Sequence, residues 1–236
     1  MCYSNSSTSS TQQLAERYHK LVPAKPVEWR YFFASGFQFP IWNIITNDTV
    51  IKEMRWGLLP HWYGGGDWYN FASKTLNARI ETCFEKASFK HLVQSNRCLV
   101  PSTGFFEWQT REKIKIPYFV NLRDQPIFSI AGLYDQWLNP STGERSTSFT
   151  ILTTKANALM EEIHNIKHRM PLILQAHEEK DWLYGTPNWS ELSDRSDLQL
   201  EAWPVSKKII SGPNANSPSV ILKHEYNFGE QKGLFD

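Results

Sequence analysis

Cysteine is scarce in this 236-residue chain, which carries only Cys2, Cys83 and Cys98. The number is odd and no pair stands in CxxC spacing, so a disulfide framework and a structural zinc site are both disfavoured. Net charge is scarcer still: 25 Lys and Arg against 24 Asp and Glu leave a formal +1. A surface that attracts polyanions over its whole extent is thereby excluded, and recognition of phosphate has to come from a local cluster. No uninterrupted apolar run approaches the roughly 18 residues of a membrane span. The first twenty residues also lack the basic start and apolar centre of a secretory signal. These absences predict a soluble, intracellular chain with no membrane partner, found in the cytoplasm of a bacterium or the nucleus of a eukaryote.

What the chain has in excess is aromatic surface, 14% of residues with ten tryptophans, and a length that can bury a substantial core. Leu14, Tyr18, Leu21 and Val22 recur at helical spacing, which predicts an amphipathic helix just after a flexible Ser/Thr-rich segment near residues 4–11. Residues 37–45 and 49–56 read as strands joined by an Asn47-Asp48 turn, hence a hairpin. A Gly- and Trp-rich loop over 60–69 follows, then an extended stretch at 77–81 and a helix over 85–94. From Arg97 onward short strands recur at near-regular intervals, at 97–101, 105–108, 118–122, 126–134 and 148–152, which suggests a sheet closing toward a barrel. Cys98 is most simply a small buried residue in the first of these. Ala156, Leu159, Met160 and Ile163 return to helical spacing and predict a helix ending at His164-Asn165. A strand at 170–174, a helix near 178–183 and a strand near 203–209 complete the pattern. No repeat and no linker divides the chain, so one α+β domain with a β-rich, barrel-like core and flanking helices is expected over residues 1–236.

The chain begins Met1-Cys2-Tyr3-Ser4. Aminopeptidases remove an initiator methionine that precedes a small side chain, and cysteine qualifies. The product would carry an α-amine and a thiol on one residue, a 1,2-aminothiol. Such a pair attacks an aldehyde twice, nitrogen giving an imine and sulfur closing a five-membered thiazolidine, which no internal cysteine can do. The alternative is an ordinary thiol in a frayed terminus.

Three further places could carry chemistry. In an extended stretch, Asn77, Arg79 and Glu81 share one face while Ala78 and Ile80 take the other; this is either a functional polar face or a solvated sheet surface with an Arg–Glu pair. Glu107 lies in Phe105-Phe-Glu-Trp108, where aromatic neighbours would desolvate the carboxylate and suit it to proton transfer, unless it pairs with a surface lysine. The segment from His164 to Pro171, His-Asn-Ile-Lys-His-Arg-Met-Pro, sets two histidines and two cations beside a helix end. It can supply acid–base and phosphate-binding groups or simply cap the helix.

Together these stretches resemble the SRAP family, named for SOS-response-associated peptidases and now described as abasic-site processing proteins. The likeness rests on Met1-Cys2, Trp56-Gly57, Asn77-Ala-Arg-Ile-Glu-Thr82, Arg97-Cys-Leu-Val-Pro-Ser-Thr-Gly-Phe-Phe-Glu-Trp108, Phe149-Thr-Ile-Leu-Thr-Thr154, the segment from His164 to Pro171, and Pro204-Val-Ser206, in family order along the chain. Two departures stand out. Tyr3 and Ser4 replace the family's Gly-Arg, so a phosphate contact expected of that arginine is absent or supplied elsewhere. Lys167 holds the usual place of the histidine two positions before Arg-Met-Pro. The functional histidine is matched to His164 through its Ile163-His164-Asn165 flank, with His168 as the rival.

The resemblance implies an enzyme that senses abasic sites in single-stranded DNA and bonds to them through Cys2 after loss of Met1, forming a thiazolidine crosslink. It implies catalytic roles for Cys2, Asn77, Glu107 and His164, phosphate contacts from Arg79 and Arg169, and packing or stacking by Trp56. No metal or organic cofactor is expected, and the chain is expected to act as a monomer. Neighbouring cations are expected to lower the pKa of the Cys2 thiol. The competing readings are a cysteine peptidase using Cys2 and His164, and a noncatalytic single-strand binder.

Overall fold

The serine-rich start of the chain forms a strand. In the computed structural model, which describes residues 2–212 and 214–226, β1 (Ser4–Ser7) is buried along its whole length. Met1, on whose removal the aminothiol depends, lies outside the described residues. β1 sits between β2 (Tyr31–Ser35) and β7 (Gly104–Arg111), antiparallel to both. Small hydroxyl side chains can be buried this way because their polar atoms find partners at short range. Ser6 Oγ donates to the Tyr31 carbonyl at 3.1 Å, and Ser102 Oγ donates to Asn5 Oδ1 at 2.7 Å. The expected flexible segment over 4–11 is therefore a correction: its first half is the middle of a sheet. Its second half leads into α1 (Thr11–Tyr18), held by a capping box in which Ser10 and Gln13 exchange side-chain and backbone bonds.

The first sheet continues from β7 to β8 (Ile114–Leu122) and β13 (Leu200–Pro204). The second is built on β9 (Phe128–Leu138) and β10 (Arg145–Lys155), the two longest strands, with β4 (Lys52–Trp56) and β3 (Ile41–Ile44) beyond β10 and β6 (Arg97–Ser102) on the far side of β9. The end of β3 returns to β6 through a bridge, with Ile45 N–H donating to Leu99 O at 3.0 Å and Leu99 N–H to Ile45 O at 2.8 Å. That bridge completes the circuit β6–β9–β10–β4–β3, so the expected barrel is present. Three short strands extend it: β5 (Asn77–Arg79) and β11 (Arg169–Pro171) pair with β10, and β12 (Ile173–Leu174) pairs with β9.

Side chains alternate across the barrel wall as a pleated sheet requires. On β6, Cys98 and Val100 enter one cluster with Trp42, Trp56, Phe149 and Cys2, while Leu99 enters another with Leu14, Tyr18 and Trp182. The second cluster seats α1 and α4 (Glu178–Tyr184) on the outer face, with α5 (Trp189–Ser193) beside them through Leu192. Two glycines are required by close approach. At Gly57, φ is +111° and a Cβ would lie 2.7 Å from the Phe39 ring; at Gly104 a Cβ would lie 2.1 Å from the ring of Phe119.

Several local expectations give way to tertiary packing. Residues 85–94 form successive turns rather than a helix, because Phe89, Leu92 and Val93 each reach the outer core through alternating i+3 and i+4 bonds such as Lys90 N to Lys86 O and Leu92 N to Phe89 O. The loop expected over 60–69 already contains the start of α2 (Trp68–Lys74), whose N-cap Asp67 accepts from Asn70 N–H. Residues 170–174 split into β11 and β12 because Leu172 changes partner, donating to Leu152 O on β10 and accepting from Ala131 N–H on β9. The last strand lies at 200–204, ahead of the expected 203–209, since Lys207 already opens α6 (Lys207–Ile210). α3 (Ala158–Ile163) ends with His164 as its C-cap, as its spacing predicts.

Candidate active site

The register of β1 against β7 decides where Cys2 lies. Ser4 stands opposite Phe106 and Asn5 opposite Phe105, so the residues just ahead of Ser4 run alongside Glu107 and Trp108. Gly36 N–H binds the Tyr3 carbonyl at 2.7 Å and anchors this approach from the other side. Cys2 is 1% exposed and Glu107 is 3% exposed. The thiol lies close enough to the Glu107 carboxylate to feel its charge. Burial, then the charge of Glu107, push the thiol well above its ordinary pKa, with Arg169 opposing only weakly. Arg169 lowers it in the expected direction, but burial and Glu107 outweigh that effect, so the net shift is upward. In this setting Cys2 is held as a neutral thiol at neutral pH.

His164 comes to the same place from the end of α3. Its Nδ1 lies 2.7 Å from the Arg169 carbonyl oxygen and 3.7 Å from Glu107 Oε2. A carbonyl can only accept, so Nδ1 carries the proton, and in the neutral ring the lone pair is on Nε2. Burial lowers the pKa of His164, while Glu107 and the Arg169 carbonyl partly offset that. The rival His168 is exposed, with φ at +50°. The structure thus brings together Cys2, Glu107 and His164 and leaves His168 outside.

The alternation expected at 77–81 is present in the burial pattern, although the strand itself ends at Arg79 and Glu81 lies in the turn that follows. Asn77 is half-buried, Arg79 and Glu81 are exposed, and Ala78 and Ile80 are core. Both polar atoms of the Asn77 amide are buried without a hydrogen-bond partner, an arrangement that costs about 1–3 kcal/mol per orphaned group and calls for an explanation. One oxygen of Glu107, Oε1, is likewise unpartnered. The partner of Glu81 is not Arg79. Arg169 reaches it with a bidentate pair at 2.6 and 2.9 Å and also donates to the Thr153 carbonyl at 2.6 Å. Burial raises the pKa of Glu81, but the Arg169 hydrogen bond and charge hold it below the ordinary value.

Two DNA-contact expectations therefore meet an obstacle. Arg169 is buried and its fork is engaged by Glu81 and Thr153, so it is placed to position His164 through its own carbonyl rather than to grip a phosphate. Trp56 is 1% exposed, donates Nε1–H to the Leu76 carbonyl at 2.9 Å and stacks on Phe149; it is a core residue with no face for a base. Ser4, at the family's arginine position, is buried in β1. Sequence reading missed the role of Thr153 and the true partner of Glu81, because the three groups stand in separate stretches of the chain whose pairing no local pattern gives. It also missed His61, His91 and Asp135, whose ligating atoms lie within 4.8 Å of one another, the one such donor set among the described residues.

Comparison with known proteins accords with this geometry. The sequence profile of the family described as SOS response associated peptidase (SRAP) matches residues 1–211. A Bacillus subtilis protein named abasic site processing protein YoqW is 35% identical over 210 residues, 82% of this chain and 90% of that one. The Gallus gallus protein named abasic site processing protein HMCES is 33% identical over 175 residues, 66% of this chain but only 50% of its own length. A crystal structure of a protein from Bacteroides thetaiotaomicron superimposes with a TM-score of 0.87 at 34% identity, covering 95% of this chain and all of that one. By sequence over nearly its whole length and by fold, this chain belongs to the SRAP family.

Proposed function

We propose that this chain processes abasic sites in DNA by bonding to them through Cys2. The observation that carries the reading is the convergence of three groups from distant parts of the chain. The buried thiol of Cys2 lies in the field of the Glu107 carboxylate, which is 3.7 Å from an imidazole of fixed tautomer on His164. The relatives named abasic site processing proteins supply the substrate. An abasic deoxyribose opens to an aldehyde, the electrophile that an aminothiol takes up.

Once Met1 is removed, Cys2 carries a free α-amine, a group that ordinarily titrates at about 7.7–8.0, so roughly a quarter is neutral near pH 7.4. That nitrogen adds to the aldehyde carbon to give a carbinolamine, and loss of water leaves an imine. Glu107 positions the amine and takes up its proton, and His164 moves protons as the hydroxyl departs. The Cys2 sulfur then adds to the imine carbon and its proton passes to the ring nitrogen, so one water is the sole leaving group. Because the thiol is protonated at rest, Glu107 has a second task as its proton acceptor during ring closure. The unpartnered Asn77 amide is suited to hydrogen-bond the opened sugar or the ring product. Exposed Arg79 contacts a flanking phosphate and positions the strand without reading its bases. The scheme draws on no cofactor and needs only one chain and a single-stranded substrate.

Two other readings compete. A peptidase would use Cys2 as nucleophile and His164 as base, but burial and Glu107 disfavour the thiolate that such an attack requires. A noncatalytic binder would need none of the three groups. Incubation with an abasic oligonucleotide and with its intact counterpart, followed by a denaturing gel, separates the first reading from both of these. We expect a slow-migrating covalent product with the abasic strand alone. Absence of that product from the chain lacking Met1 would reject the reading.

A further inference from the structure

We propose that His61, His91 and Asp135 form a binding site for one divalent transition-metal ion of the zinc type, separate from the Cys2 centre. Asp135 is the fixed member. It lies on β9, its side chain is 8% exposed, its Oδ1 accepts from Gln136 N–H, and its Oδ2 accepts from His61 N–H at 2.8 Å. Both imidazoles converge on that same Oδ2, His61 through Nδ1 and His91 through Nε2, each at 3.0 Å. The two rings meet edge to face with centroids 4.6 Å apart.

Two imidazole nitrogens and a carboxylate oxygen are a donor set that zinc and its neighbours favour. Ligand atoms about 2.0–2.1 Å from a tetrahedral ion lie roughly 3.3 Å from one another, so the two nitrogen–oxygen edges need to open by only a few tenths of an ångström. The distance between the histidine nitrogens is bounded by 4.8 Å, and the His61 side chain, 54% exposed, is free to turn toward the ion. Backbone N–H groups already orient Asp135, which is the supporting shell that metal ligands require. The exposed side of the cluster leaves the remaining coordination positions to water. Without an ion the same groups form hydrogen bonds from two imidazoles to one carboxylate oxygen, and that is the alternative to be tested.

The position of the ligands indicates what an ion would do. His61 follows β4 in the loop that leads to α2, and His91 lies in the run of turns that follows β5. The ion would therefore tie both ends of the 61–91 segment, which carries Asn77, Arg79 and Glu81, to β9 of the barrel.

The test uses the untagged full chain, treated with chelator and dialysed, then titrated with zinc by calorimetry and with cobalt(II) by visible absorption. Cys2→Ala is carried in parallel, since an N-terminal aminothiol can itself hold zinc. We expect one equivalent bound in both the parent and Cys2→Ala, a rise in melting temperature on loading, and visible cobalt bands. His61→Ala and His91→Ala should each weaken binding by at least about tenfold and lose the cobalt bands. His61 is exposed, so its variant should fold, and circular dichroism is the check on folding for both variants. Failure of the folded parent to bind, binding that survives in both histidine variants, or binding that disappears with Cys2→Ala alone would overturn the proposal.

Discussion

The Nδ1–H of His164 donates to the main-chain carbonyl of Arg169 at 2.7 Å, while the guanidinium of the same Arg169 is clasped by Glu81. One residue thus fixes the tautomer of the imidazole with its backbone and anchors itself with its side chain to Glu81, in the turn just past β5. Removing either half should disturb the chemistry without touching the substrate.

His164→Ala is expected to slow crosslinking at pH 7 by about tenfold or more, in line with the 10²–10⁴-fold typical of positioned acid–base groups. His168→Ala should keep its rate, because that side chain is exposed and outside the cluster. Single-turnover rates at saturating oligonucleotide compare the two free of affinity effects. A slow His168→Ala beside a normal His164→Ala would mean the wrong histidine has been assigned.

The arginines should separate. Arg79→Ala should weaken binding on every sequence and reduce the slope of log affinity against log salt by about 0.7, the contribution of one phosphate contact on a single strand. Arg169→Ala should leave that slope alone and instead lower both melting temperature and crosslinking rate, since it removes a buried guanidinium that bonds both Glu81 and the Thr153 carbonyl. A salt slope that falls in Arg169→Ala would restore it as a phosphate contact.

Asn77→Leu should lose crosslinking rate by about tenfold or more while keeping or gaining thermal stability, because a buried amide without partners is replaced by an apolar group of similar size. Parallel loss of stability and rate would show that the amide is structural.

Stability should depend on His164 in acid. Its folded pKa is lowered from 6.5 by burial, so between that lowered value and 6.5 the unfolded chain binds more protons than the folded one. The stabilising contribution is present in full above pH 6.5 and is lost as pH falls through the folded value. Melting curves between pH 7.5 and about pH 5 should therefore fall more steeply for the parent than for His164→Ala. Equal slopes would contradict the shift.

Much of this was legible in the sequence where local pattern and spatial role coincide. The regular short strands after Arg97 do close into a barrel, and Cys2, Glu107 and His164 come together as their motifs imply. What was hidden depends on distant partners. The Ser/Thr-rich start looks like a solvated tail until Tyr31 and Thr103 are seen to bond the Ser6 hydroxyl and Ser102 to donate its own to Asn5. Arg169 looks like a phosphate contact until Glu81, 88 positions away, occupies its fork. His91 and Asp135 lie 44 positions apart and share no motif. Trp56 has a family-like neighbour in Gly57, yet its burial follows from the pairing of β4 with β10, which sets its ring on Phe149 and which no local window contains.

Whether the amine and the sulfur of one residue end on one carbon is tested by heating the product with an abasic oligonucleotide in the absence of reductant and weighing what survives by intact mass spectrometry, since the open imine and the closed ring share one mass. A heat-stable species formed without reductant is expected, with the mass of the chain lacking Met1 plus the oligonucleotide minus one water, and with fragmentation that places the bond on Cys2. A stable product that retains Met1, or one attached through a lysine side chain, would contradict the thiazolidine scheme.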